Sequence, residues 1–305
     1  KLELERFAGA LRPEEIRSAV LLCLLSVVIF PLLPNRFVDP WQLINPQQFW
    51  VIIVVIAGIG FLNYVLLRVY STRGMYYSAV LGGLVNSTAA VVELAGQFRA
   101  RTELMSQAIA VLLLTNISMF VRNIAILAIF APKAVASAVA PLAAMIIATV
   151  LAVWSQRGRA EAHSEPLRLT SPVSLRRVIK FAVLFFLLAC TGTLAQRFFG
   201  SMGFLFISIV GGMVSSASTT ATAAALAAGN RISPATAGYA TILTSISSSL
   251  VNLPLVYQQT RQPALVRKFS LISIAISVLG LCVGAAIPWL GVHESFASFF
   301  RQHFG

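Results

Sequence analysis

The sequence predicts an all-α membrane protein that crosses the bilayer several times. Of its residues, 58% are hydrophobic and only 11% are charged, and its mean hydropathy is +0.84. A soluble domain is about 45–50% apolar and about 25% charged. So few polar side chains cannot cover a water-facing surface. This excludes a soluble globular enzyme, a disordered chain and a disulfide scaffold.

Apolar segments follow one another along the chain, and most have the roughly 20 residues that a spanning helix needs. There are nine, at residues 18–33, 49–67, 75–98, 104–131, 134–154, 178–196, 202–228, 235–257 and 269–290. We interpret residues 1–17 as the end of an upstream linker or helix. We expect a first membrane repeat with extra N-terminal helices at 18–154, a cytoplasmic linker at 155–177, and a second repeat at 178–305.

Two motifs recur in the second half of the chain at one spacing. LGGLVNSTAA (81–90) aligns without gaps onto VGGMVSSAST (210–219), an offset of 129 residues. The same offset carries TNISMFVRN (115–123) onto TSISSSLVN (244–252). This indicates an internal repeat, which is typical of transporters whose sites form where the repeats meet.

The distribution of basic residues predicts the topology. If all nine segments cross the membrane, 11 Lys and Arg residues lie on each side. If 75–98 and 202–228 are instead re-entrant hairpins, 17 lie inside and 5 outside. The positive-inside rule favours the second arrangement, although the second hairpin depends on repeat symmetry and not on charge alone. About seven spanning helices and two hairpins result. The three spans between the hairpins make the repeats inverted. The net charge of +13 then reflects topology and not nucleic-acid binding.

Each predicted hairpin contains a diglycine followed by small polar residues. We read Gly82-Gly83 and Gly211-Gly212 as helix breaks, and the following amide and hydroxyl groups as N-caps. The free N–H groups of a new helix suit an anion, and nearby oxygens suit Na⁺. The candidate binding residues are Asn86, Ser87, Thr88, Ser215, Ser216, Ser218 and Thr219. Ordinary helix packing through small residues is the alternative.

Polar residues also line one face of the helix that follows each hairpin. Because such a stripe faces the protein interior or a water-filled path, these residues are candidates for lining one. They are Thr115, Asn116, Ser118 and Asn123 in the first half, and Thr244, Ser245, Ser248 and Asn252 in the second. Hydrogen bonding between helices is the alternative interpretation.

Two charged residues break the repeat. Glu93 aligns with Thr222, and Arg122 aligns with Val251. Both lie inside apolar segments, where an unpaired charge is costly, so we predict that they form a charge pair. Three alternatives stay open. Arg122 could attract an anionic substrate, and Glu93 could carry a proton or cation or could reach the membrane interface.

The chain resembles a known family over about residues 11–290. The matching stretches include WVIIVVIAGIGFLNYVLLR (50–68), GMYYSAVLGGLVNSTAAV (74–91), TNISMFVRN (115–123) and GFLFISIVGGMVSSASTTATAAALA (203–227). They are similar to the C-terminal membrane domain, of uncharacterised function, that follows the MgtC/SapB module in many bacterial proteins. That module is not in this chain. The resemblance implies a link to magnesium stress but supplies no substrate.

The leading hypothesis is a secondary transporter of the bacterial inner membrane, with its basic loops in the cytoplasm. Its substrate is a small anion or polar solute bound at the midplane between the hairpin tips, with Na⁺ as a candidate coupling ion. The alternatives are an ion channel with the hairpins as its filter and a non-transporting regulatory membrane protein linked to MgtC/SapB-type magnesium stress. Enzyme signatures are absent, so we expect no catalytic residues, metal centre or other cofactor. The expected partners are the bilayer and the transported species, and a homo-oligomer is left open.

Overall fold

The chain is all-helical in the part that the computed structural model describes. That part comprises residues 13–36, 38, 45–47, 49–55, 57–58, 61, 75–99, 104–156 and 175–286. Helices make up 92% of these residues, and none is in a strand, which confirms the predicted fold class at this level. Most of the predicted upstream segment 1–17, most of the linker 155–177 and the chain after residue 286 lie outside the described residues.

The helices are numbered here in chain order. Helix α1 begins as Pro13–Cys23, continues through the π-helical stretch Leu24–Ile29 and ends with Phe30–Leu32. The others are α2 (Met75–Gln97), α3 (Met105–Phe130), α4 (Pro132–Ser155), α5 (Leu175–Val214), α6 (Ser216–Ala228), α7 (Pro234–Thr260) and α8 (Pro263–Ala286). Residues 49–55 are also helical and pack against α1 through Leu25 and Ile53.

Six helical stretches in the described part of the chain are long and apolar enough to cross a membrane. Their outward faces carry large apolar side chains, among them Leu151, Trp154, Phe198 and Phe206. So many exposed large apolar side chains are suited to lipid and not to water. The described helices are therefore those of a membrane-embedded, multi-pass protein.

Helices α3 and α7 form the centre of the molecule. In their membrane-crossing stretches 72% and 61% of the residues are buried, against at most 44% in the other four. Their sequences explain how they can be buried while carrying polar groups. Most of their serines and threonines bond a carbonyl of the preceding turn, as Thr241 and Ser245 do. Such bonds satisfy the hydroxyl without needing water.

The long helix α5 reverses direction at Gly200. This residue has φ 62° and ψ −156°, a conformation that only glycine adopts without strain. In a straight helix Gly211 and Leu188 would be about 35 Å apart. In the structure a methyl group on Gly211 would lie 2.7 Å from Leu188. Residues 201–214 therefore run back along the first part of α5, so α5 contains a crossing helix and a separate half-helix.

The chain reverses again at Ser215, between α5 and α6. A methyl group on Gly211 would lie 2.6 Å from Thr219 Oγ1, although a straight helix would separate the two residues by about 12 Å. Farther from the turn, Phe204 and Leu226 both lie against Gly192. The half-helix 201–214 and helix α6 are therefore antiparallel neighbours with Ser215 at their tip.

Candidate site at two helix breaks beside the central helices

Two helix breaks occupy equivalent positions in the sequence repeat. Inside α2, Asn86 has φ −158° and ψ 102°, and the helix resumes directly after it. Between α5 and α6, Ser215 has φ −161° and ψ 106°. The two residues are related by the 129-residue offset of the repeat, and their backbone angles agree within 4°. The prediction that a new helix starts near each of these residues is confirmed.

Each break carries the same kind of cap. Asn86 Oδ1 accepts a hydrogen bond of 3.1 Å from the N–H of Ala89. Ser215 Oγ accepts one of 3.3 Å from the N–H of Ser218, the repeat equivalent of Ala89. A side-chain oxygen that bonds the N–H three residues on is the standard helix N-cap, and Asn and Ser are preferred there. Polar residues therefore occur at these points in an apolar chain because each starts a helix.

The diglycines do not break the helices, which corrects one prediction. Gly82-Gly83 lies inside the first half of α2, and Gly211-Gly212 lies inside α5. Glycine fits at these positions because atoms of neighbouring residues approach the backbone too closely to leave room for a side chain. A methyl group on Gly83 would lie 2.8 Å from the carbonyl oxygen of Thr115 in α3. A glycine within a helix lowers helix propensity without ending the helix, and close packing of membrane helices favours small residues.

The same close approach recurs in the second half of the chain. Gly83 lies against Thr115 and Ser118, and Gly212 lies against their equivalents Thr244 and Ser247. A methyl group on Gly212 would be 2.7 Å from the carbonyl oxygen of Thr244. Each broken segment therefore packs in the same register on the central helix that follows it, α3 or α7.

The side chain of Arg122 connects the two breaks. Its Nη1 donates to the carbonyl oxygens of Leu84 at 3.3 Å and Val85 at 3.5 Å, the last residues before the first break. Its Nη2 donates to Ser216 Oγ at 2.9 Å, in the first residue of α6. Arg122 as a whole residue is 7% exposed. The breaks are far apart in sequence but are both within hydrogen-bonding reach of this one buried side chain.

The central helices α3 and α7 are joined by polar bonds that come in reciprocal pairs. Asn252 Nδ2 donates to Asn116 Oδ1 at 3.2 Å, and Asn123 Nδ2 donates to Ser245 Oγ at 3.0 Å. Under the repeat offset Asn116 corresponds to Ser245 and Asn123 to Asn252, so each bond is the image of the other. Residue numbers rise along α3 as they fall along α7, so the two helices are antiparallel.

The predicted binding residues all lie at the breaks. Asn86 is exposed, and Thr88 and Ser215 are half-buried. The buried members are Ser87, Ser216, Ser218 and Thr219. Ser218 bonds Ser215 through both its N–H and its hydroxyl, and Thr219 Oγ1 donates to the Ser215 carbonyl at 2.9 Å. Among these residues, only Ser216 bonds Arg122. The spacing of the residues in the sequence does not show that the two breaks lie close together.

The predicted path-lining residues are all buried in helix contacts in this conformation. Thr115 and Ser118 bond carbonyls of their own helix, and Thr244 Oγ1 donates to the Ser208 carbonyl at 3.0 Å. Asn116 also donates to Ser249 Oγ at 3.2 Å, a contact that the sequence analysis missed. A role in lining a transport path stays a prediction.

The hydrogen bonds of Arg122 go to the breaks and not to Glu93. Glu93 lies about two turns beyond Asn86 in α2 and is half-buried. The predicted charge pair stays a prediction. The carbonyls of Leu84 and Val85 were not among the predicted site residues, because a main-chain acceptor is not marked by any residue type.

Other places in the described part of the chain offer less chemistry. Within the described ranges, no three His, Cys, Asp or Glu side chains come together. A cavity of about 250 Å³ lies between α3 and α4, but its lining is apolar and includes Leu114, Ile117 and Trp154. Polar groups with unused bonding capacity are instead found at the centre, among them Arg122 Nε and Asn123 Oδ1.

Comparison with known proteins identifies the family. The sequence profile described as "Domain of unknown function (DUF4010)" matches residues 54–258, about two thirds of the chain. This range contains both breaks, the whole of α3 and all but the last two residues of α7. No curated protein and no solved structure matches the chain. The link to MgtC/SapB proteins stays a prediction, whereas the profile match is sufficient to state that the chain belongs to the DUF4010 family.

Proposed function

We propose that this protein is a secondary transporter of the bacterial inner membrane, with a midplane site for a small anion or polar solute between the two helix breaks. The observation that carries the proposal is the contact of Arg122 with both breaks. Interrupted helices that meet inside a membrane protein expose unpaired main-chain groups away from lipid, and transporters bind their substrates at such places.

The proposal includes inverted repeats, for which the bonds between α3 and α7 give support. Reciprocal contacts are the signature of a two-fold relation between two similar units. Because α3 and α7 are antiparallel, the axis relating them is perpendicular to both helices. In a membrane that axis lies in the bilayer plane, as it does in transporters built from inverted repeats.

The proposal also includes re-entrant hairpins, which the helix directions favour. If α3, α4 and residues 175–199 each cross the membrane, they run up, down and up. Since α7 is antiparallel to α3, the segment from Gly200 to the start of α7 begins and ends on the same face. The reversals at Gly200 and Ser215 are consistent with this course. By the repeat, α2 forms the opposing hairpin with Asn86 at its tip.

The basic residues then set the orientation. With both hairpins re-entrant, the ends of the first hairpin and the 155–177 linker face the cytoplasm.

We propose no enzymatic activity, and Na⁺ is the coupling ion to test first. The bilayer and the solute are the partners that this function requires, and a homo-oligomer is compatible with it.

A flux assay with purified protein in liposomes tests the function. We expect wild type to move at least one solute of a panel of chloride, nitrate, acetate, phosphate, serine and potassium, at carrier-like rates and with saturation. Ser216→Ala should weaken the apparent affinity about two- to tenfold through the loss of one hydrogen bond. Ser208→Ala is the matched control, because the hydroxyl of this buried serine donates to the Phe204 carbonyl within its own helix.

Three outcomes contradict the proposal. Non-saturating flux far above carrier turnover indicates a channel. No flux in wild type, across a wider panel and with or without a Na⁺ gradient, indicates a protein that does not transport. Equal apparent affinities for the transported solute in Ser216→Ala and Ser208→Ala would mean that the substrate binds away from the breaks.

A further inference from the structure

Arg122 carries a buried positive charge whose bonding partners are all neutral. They are two main-chain carbonyls and one hydroxyl, at 3.3, 3.5 and 2.9 Å. Within the described residues, none of its bonds goes to a carboxylate, and its Nε is buried without a partner. A guanidinium stays protonated in proteins. Because a buried charge is costly unless it is compensated, this site calls for a negative charge.

The carbonyls that precede a break do not need an arginine from the central helix beside them. The repeat equivalent of Arg122 is Val251, and the second break forms at Ser215 with nearly the same backbone angles as Asn86. Holding the carbonyls of residues 84 and 85 is therefore an insufficient reason for a charge at this position. A charge that is present in one half of a repeat, while the shared geometry is present in both, indicates a role other than support.

The start of α6 supplies further donors beside Arg122. The Ser215 side chain caps the N–H of Ser218, but helix geometry gives the N–H groups of Ser216 and Ala217 no acceptor within α6. Ser216 Oγ accepts from Arg122, so its own proton is left to donate. The positive end of the helix and the guanidinium act in the same direction.

We propose that the species bound here is a small anion, either a carboxylate or an inorganic oxyanion, held between Arg122, the Ser216 hydroxyl and the first N–H groups of α6. This inference rests on the transport function proposed above and names its substrate class. A single negative charge neutralises the single guanidinium. Arg122 Nε is buried without a partner in this conformation, so an anion bound through Nε would require the two breaks to separate.

Binding can be measured on the full chain in detergent, independently of transport. The probes are the sodium salts of acetate, nitrate, phosphate and sulfate, titrated at constant ionic strength against sodium HEPES. A ligand that binds the folded state raises the unfolding midpoint in a saturable way. We expect at least one probe to do so, with an apparent affinity that Arg122→Gln weakens roughly tenfold or more. Arg122→Lys, which retains the charge, should be intermediate.

The matched control is Arg267→Gln, the same substitution at an exposed position in α8. No saturable stabilisation of wild type by any probe overturns the inference. So do equal affinities in Arg122→Gln and Arg267→Gln. If Arg122→Gln does not fold, Arg122→Lys and Ser216→Ala carry the test, and unchanged affinity in both overturns the inference.

The binding and flux assays separate this inference from the transport function. Saturable anion binding that depends on Arg122, without flux of any solute, keeps the anion site and overturns transport. Saturating flux of serine or potassium, without anion binding, keeps transport and overturns the anion site.

Discussion

The close approach of α2 to α3 makes Gly83→Ala a sensitive test of the fold. The added methyl group would lie 2.8 Å from the Thr115 carbonyl oxygen and 2.9 Å from Ser118 Cβ. Ordinary contacts at such a position are 3.4–4 Å, so the overlap is at least about half an ångström. Since the nearest atom is backbone, a side-chain rotation cannot relieve it. Either α2 or α3 must move.

The expected cost follows from overpacking, corrected for helix propensity. Inserting a methyl group into a filled contact costs about 1–3 kcal/mol. Replacing a glycine inside a helix with alanine gains about 1 kcal/mol. Gly96→Ala in the same helix is the matched control, because the nearest atom to its new methyl group, Gln259 Oε1, is 3.9 Å away. The two variants share the propensity gain, so their difference of about 1–3 kcal/mol isolates the overlap.

Denaturant titration in detergent micelles measures this difference. Gly96→Ala should be as stable as wild type or more stable, and Gly83→Ala should be less stable than Gly96→Ala. The repeat predicts a similar loss for Gly212→Ala, which meets the Thr244 carbonyl oxygen at 2.7 Å. Equal midpoints for Gly83→Ala and Gly96→Ala would refute the contact between α2 and α3 and the register on which the site depends.

Three further predictions test the crossing, the caps and the topology. A double-mutant cycle on Asn123→Ala and Ser245→Ala, read as free energy of unfolding, should give a coupling of about 0.5–1.5 kcal/mol for their 3.0 Å bond, and additivity contradicts that bond. Ser215→Ala should lower the free energy of unfolding by about 1 kcal/mol, because the N-cap of α6 is lost. Ser215→Asn, which introduces the capping side chain found at the first break, should be tolerated. Equal losses of stability in the two variants would contradict the cap. In a cysteine-free background, a cysteine in place of Asn230 should react with an impermeant maleimide only from the outer face of the membrane. A cysteine in place of Arg99 should react only from the cytoplasmic face. Labelling of both from the same face would exclude inverted hairpins.

Much of the backbone arrangement could be predicted from the sequence because the repeat doubles the signal. A single Asn-Ser or Ser-Ser step in an apolar segment is ambiguous between a cap and a helix contact. Two such steps at the offset of 129 residues point to one geometry, and both Asn86 and Ser215 start helices. The predicted gap between 178–196 and 202–228 likewise contains Gly200, where α5 reverses.

The roles of individual residues were harder to predict, for physical reasons. A glycine in a membrane helix serves either as a break or as a close contact, and only the neighbouring helix decides between them. Gly83 and Gly212 turned out to be contacts. Likewise, a polar stripe on a helix can face either a water-filled path or another helix. In this structure Asn116 and Asn123 of that stripe bond α7. The partners of Arg122 are mostly carbonyls, which residue type does not reveal.

The repeat itself separates residues that the fold requires from residues that it does not. A role in support recurs wherever the geometry recurs, as it does for Gly83 with Gly212 and for Asn123 with Asn252. Arg122 is paired with Val251, so α7 gives the second break no guanidinium of its own, although Arg122 itself reaches Ser216 there. Substituting the matched residues should therefore lower stability and activity together, whereas Arg122→Lys should lower ligand affinity more than stability. Equal effects of Arg122→Lys on both would mean that the arginine serves only to hold the breaks together.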